Sequence, residues 1–127
     1  MNLDSEVAEK IVNLIIGFLN VRRVKLSENE KKTPSIFHYF QEIIRFWSKL
    51  NYVLQKTLRS LSVKKVSKET EAMLLFAAYR ILIENAEPEQ VKNEVPTVEN
   101  SYLARLRTFS WGKALKNKRK VEKLSIS

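Results

Sequence analysis

The side chains in this sequence best equipped for chemistry are its 23 lysines and arginines, set against 14 aspartates and glutamates, and their chemistry is the capture of anions. The formal net charge of +9 is unevenly placed. Residues 1–42 cancel. Residues 43–68 carry Arg45, Lys49, Lys56, Arg59, Lys64, Lys65 and Lys68 and no acid. Residues 69–100 hold seven acids against Arg80 and Lys92, and residues 101–127 return to a net +7. Two basic blocks around an acidic one are the footprint of a phosphate-backbone binder. The competing reading is a lysine-rich surface that serves solubility.

Other chemistries lack their residues. With no cysteine there is no disulfide, thiolate nucleophile or cysteine-ligated metal. A single histidine, His38, cannot build a multi-histidine zinc site, and it lies between Phe37 and Tyr39 where a structural role is expected. Two glycines, Gly17 and Gly112, are too far apart for a phosphate-cradling loop. The pairs Glu69/Glu71 and Glu87/Glu89 stand at helix starts, where they compensate the dipole. Trp47 falls on an apolar repeat and reads as core, whereas Trp111, beside Gly112 in the basic C-terminal block, is either core or a base-stacking platform. The expectation is a cytoplasmic binding module that is not an enzyme and holds no metal. The longest oily stretch, Met73 to Tyr79, stops at Arg80, well short of a membrane span.

The elements that position these charges are helical. Two glycines and three prolines leave too few turn residues for sandwiches, barrels or doubly wound sheets. A first helix is expected from about Asp4 to Arg22, capped by Asp4, with Val7, Ile11, Leu14, Ile15 and Phe18 facing the core. Thr33-Pro34 starts the next. Its apolar repeat runs unbroken from Ile36 to Leu61, and a division into two helices is expected with Asn51 capping the second. Val63 to Val66 connects to a helix capped by Ser67, whose body from Ala72 to Ile83 is oily on every side except at Arg80 and is therefore central. Glu87-Pro88 opens a short helix that stops before Pro96. Thr97 is expected to cap a further helix with Val98, Tyr102, Leu106 and Phe109 on one face, ending near Gly112 and leaving Arg105 and Arg107 pointing outward. The fold expected is all-α, an antiparallel bundle of six to seven helices over residues 1–112, with a basic helix or linker over 113–127.

Four stretches resemble the NusB-like RNA-binding fold, and specifically the N-terminal domain of RsmB/Sun-type RNA cytosine-C5 methyltransferases. Ile44 to Trp47 followed by Leu50 to Leu54 is similar to the family's Leu-Arg, aromatic, Leu-Asp stretch, with Asn51 where the family has a capping Asp. Glu71 to Leu82 is similar to its central buried helix. Pro88 followed by Val91-Lys92-Asn93-Glu94-Val95 resembles its proline and Asn-Glu turn, and Val121 to Ser127 resembles the segment leading into the catalytic domain. The chain departs from the family at Ser101 to Arg107, at Pro96, and in its acidic N-terminus.

The resemblance implies a NusB-like domain that holds ribosomal or transfer RNA for a methyltransferase domain in cis, beyond Ser127. S-adenosylmethionine and two catalytic cysteines belong to that domain; no cofactor is expected in this chain, and neither a membrane nor DNA is an expected partner. The alternative is a free-standing NusB-like antitermination or protein-interaction module. Because the basic C-terminal end would lead to the catalytic domain sharing the same RNA, RNA is expected along Arg105, Arg107, Lys113, Lys116 and Arg119, with Arg45 and Lys49 as additions.

Overall fold

A computed structural model describes residues 3–21 and 34–109, and among them every regular element is helical. Helix α1 spans Ser5–Val21, α2 Pro34–Arg45, α3 Trp47–Ser60, α4 Lys68–Ala78, α5 Pro88–Glu94 and α6 Asn100–Thr108, with a π-helical turn, Tyr79–Ile83, continuing α4. The Lys113, Lys116 and Arg119 positions, Trp111, and the expected C-terminal helix or linker lie outside the described residues.

The central position expected of residues 72–83 is found. Ala72 and every residue from Leu74 to Leu82 are buried. Helix α4 packs against α1, α3 and α6, and its π turn packs against α5 and α6. Helix α1 supplies Ala8, Ile11, Leu14 and Ile15 to the same core, and Asp4 caps it through Oδ1, which accepts the Glu6 amide at 2.9 Å. Ser67 caps α4 as its sequence demands, its hydroxyl accepting the Thr70 amide at 3.1 Å.

Three boundaries differ from expectation, each for a local reason. The long apolar repeat does divide, but at Phe46 rather than Asn51. Phe46 takes φ −95° and ψ 15° with no side-chain cap, while its amide still donates to the Glu42 carbonyl and its carbonyl accepts the Leu50 amide. The joint is thus a one-residue bend across which the helical hydrogen bonds continue, and the Phe46 ring lies 6.4 Å from that of Tyr79. Asn51 sits inside α3, where its side-chain oxygen accepts from Gln55. At α6, Thr97 is not the cap: its hydroxyl donates to the Met73 sulfur, and the helix begins three residues later at Asn100. That helix ends at Thr108, ahead of Gly112, because Phe109 turns extended at φ −76°, ψ 135°.

A chain poor in glycine must close its helices by other means. After α3, Ser62 adopts φ 58°. The Val63 amide then donates to the Leu58 carbonyl and the Ser62 amide to that of Arg59, the paired bonds of a Schellman closure. Asn85 also takes φ 58° after the π turn, where the Glu84 amide donates to the Tyr79 carbonyl and the Ala86 amide to that of Arg80.

Candidate nucleic-acid interface

The acid-free block of the sequence becomes α3 and the end of α2. Leu50, Val53, Leu54, Thr57 and Leu58 turn one side of α3 into the core. At 100° per residue, Lys49, Tyr52, Lys56 and Arg59 then fall together on another flank, and Arg45 continues the row across the bend. Lys56 and Arg59 are exposed, Lys49 and Tyr52 half-buried. Aromatic rings lie between the cations: the Arg45 guanidinium and the Lys49 ammonium sit 5.5 Å and 5.7 Å from the Phe46 ring centre, and the Lys56 ammonium 5.4 Å from that of Tyr52. Arg45 also meets Glu42 at 3.5 Å, but with its side chain 74% exposed this pair constrains little. Lys49, Lys56 and Arg59 have no acidic partner among the described residues. Of this row the sequence reading singled out Arg45 and Lys49. It missed Tyr52, Lys56 and Arg59, although the four-three-four-three spacing from Arg45 to Arg59 was there to be read.

Arg105 and Arg107 are both exposed on α6, as expected, but they do not share a face. Positions two apart leave a helix on opposite flanks, here to either side of the buried Leu106. Arg107 pairs with Glu87 at 3.9 Å and lines a groove with Pro88, Glu89 and Lys92. Lys92 in turn donates to the Val98 carbonyl. Arg107 therefore belongs to the acid-bearing α5 side, whereas among the described residues no acid is paired with Arg105.

Acids gather elsewhere. Asp4, Glu6 and Glu9 rim a cavity of about 550 Å³ floored by Val12, Met73 and Val95. Among the described residues no three His, Asp or Glu side chains converge as metal ligands, and no helix is long and apolar enough to cross a membrane.

Among the described residues two charged groups are buried, Arg80 and Glu94, and Arg80, 1% exposed, is held by a complete set of acceptors. Its Nε and Nη2 donate to the two Glu94 carboxylate oxygens at 2.9 Å and 2.8 Å, a bidentate pair in which both side chains are 1% exposed. Nη1 donates to Glu84 at 2.6 Å and to the Tyr39 hydroxyl at 3.4 Å, and that hydroxyl donates to Glu84 at 3.0 Å. Gln90 and the Leu3 amide complete the shell of Glu94. Burial opposes the Arg80 charge, but the hydrogen bonds it donates to Glu94 and Glu84 outweigh this and lift the guanidinium above its ordinary range. Burial, then the bond to Glu84, pushes the Tyr39 phenol up, and burial pushes Tyr79 to about 12. With its donors committed inward, this cluster joins α2, α4, α5 and the start of the chain. The sequence marked Arg80 as the lone polar residue of an oily helix. That a buried cation needs a buried acid pointed to Glu94, a step not taken.

Trp47 packs edge-on against Phe18 at 4.8 Å, half-buried against the core as its place on the repeat required. His38 is exposed, its ring 5.4 Å from that of Tyr39. Comparison of the chain with family models, curated proteins and solved structures returns no match.

Proposed function

We propose that this chain is a helical RNA-binding domain of the NusB-like kind, one that presents ribosomal or transfer RNA to a cytosine-C5 methyltransferase domain and performs no catalysis itself. The observation that carries the reading is the row from Arg45 to Arg59: a flank of cations of which, among the described residues, only Arg45 meets an acid, interleaved with aromatic rings, on a helix whose other side is locked into the core. Rigid helical presentation of cations suits RNA, whose phosphates it can hold in register and whose unpaired loops offer bases for stacking. The Arg80–Glu94 pair supports the kinship. It joins two of the stretches that carry the resemblance, the central helix and the Asn-Glu turn, and so gives their joint occurrence in one sequence a physical purpose.

The test is binding of the chain to transcribed ribosomal and transfer RNA fragments across a salt series, with duplex DNA as competitor. Phosphate contacts release counterions, so log affinity should fall linearly with log salt, by about 0.7–0.9 per phosphate engaged. Reversing Arg105 and Arg107 to glutamate separates the α6 contribution from that of α3. Affinity that is absent at low salt, or indifferent to salt, contradicts the proposal.

A further inference from the structure

The chemistry of the α3 flank says more than that it attracts polyanions. We infer that Phe46 and Tyr52, with Arg45, Lys49, Lys56 and Arg59 around them, form a track for an unpaired RNA strand, with a base stacked on Tyr52 and phosphates held by the neighbouring cations. This inference rests on the RNA-binding reading and assigns its contact surface.

Three features select this occupant. Each ring already carries a cation on its face: Lys56 over Tyr52, Arg45 and Lys49 over Phe46. A π-face that attracts an ammonium also accepts a nucleobase, whose stacking needs no particular hydrogen-bond pattern, and the displaced ammonium stays within reach of the adjoining phosphate. Second, the track is a line rather than a pocket, covering about 15 Å from Lys49 to Arg59 at the helical rise, which suits an extended strand. Bases in a paired A-form helix are turned inward and cannot reach a side chain on an exposed helix flank. Third, the apolar side of α3, from Leu50 to Leu58, is buried in the core, so the helix has no free oily face to lay into a bilayer.

The experiment measures fluorescence anisotropy of a labelled short oligoadenylate and of a fully paired hairpin RNA, each against the full chain. Three variants are compared: Tyr52→Leu, Tyr52→Phe, and Lys56→Gln with Arg59→Gln. Oligoadenylate should bind more tightly than the hairpin. Tyr52→Leu should weaken it roughly 5- to 100-fold without changing the salt slope, since stacking carries no counterions, and Tyr52→Phe should restore it. The double glutamine variant should lower the slope by about 1.4, at about 0.7 per contact on a single strand. Far-UV circular dichroism establishes that Tyr52→Leu is folded; if it is not, the exposed Lys56/Arg59 pair decides. Wild-type binding that survives Tyr52→Leu, or the double variant, unchanged overturns the track and leaves the RNA reading intact. Tighter binding of the hairpin, or of a polyglutamate peptide, overturns the unpaired strand as occupant. No binding of either RNA removes the RNA reading itself.

Discussion

Replacing Glu94 by leucine should be among the most destabilising single changes in this protein. Arg80 and Glu94 have side chains 1% exposed and share two parallel bonds of 2.8–2.9 Å. Removing the carboxylate leaves a guanidinium in the core with two donors orphaned, a change that costs about 3–5 kcal/mol. Glu84, at 2.6 Å and with its side chain 27% exposed, still pairs with Arg80 and places the loss toward the lower end. A shift of about 3 kcal/mol is a large share of the 5–15 kcal/mol typical of a domain, and at roughly 4 °C per kcal/mol it lowers the melting temperature by about 12 °C. Urea unfolding followed by circular dichroism measures it. The decisive comparison is the double variant Arg80→Met with Glu94→Leu. Replacing the whole pair with apolar side chains of similar volume leaves only Glu84 without its cation, and Glu84 is 27% exposed and keeps the Tyr39 hydroxyl as donor, so most of the lost stability should return. If Glu94→Leu costs less than about 1 kcal/mol, or the double variant is less stable than the single one, the pair is not the closed, dry interaction described.

Smaller perturbations test the same structure elsewhere. The Thr57 hydroxyl is fully buried and has no hydrogen-bond partner among the described residues, so Thr57→Val should raise stability by about 1 kcal/mol; a loss in urea denaturation would mean the hydroxyl is satisfied. Ser62 holds φ 58° at the end of α3, and Ser62→Gly should stabilise by about 1 kcal/mol, offset in part by added freedom of the unfolded chain. Tyr79 has its folded pKa raised to about 12 from an ordinary 10.0, so its proton is bound more tightly in the folded state. Its contribution is complete below pH 10 and is lost as pH rises toward 12. Tyr79→Phe should therefore lose less stability than wild type between those limits, and identical alkaline denaturation curves would refute the assignment.

Where local chemistry alone decides an outcome, the sequence disclosed it. Ser67 caps α4 because a hydroxyl before an acidic turn has few better uses, Pro88 starts α5, and the residues from Leu74 to Leu82 are central because they are apolar on every side. What depended on a partner distant in sequence was harder to see. The division of α2 from α3 falls at Phe46, whose ring lies beside that of Tyr79, thirty-three positions away, so the more obvious capping residue, Asn51, misled. Thr97 had a suitable hydroxyl for capping, yet Met73 claims it. The candidate site was half legible: the acid-free block announced itself by composition, but its most coherent face emerged only once burial of Leu50 to Leu58 had fixed the rotation of α3. Arg105 and Arg107 formed a pair in the sequence and part company on the helix.

We propose that RNA engages the α2–α3 flank. Backbone amide chemical shifts of isotope-labelled protein, followed as unpaired RNA is added at low salt, test it most directly. Perturbations should concentrate between Arg45 and Arg59, be largest at Tyr52 and its neighbours, and revert on adding salt. Perturbations confined to the acidic rim at Asp4, Glu6 and Glu9, or none at any RNA concentration, would contradict it.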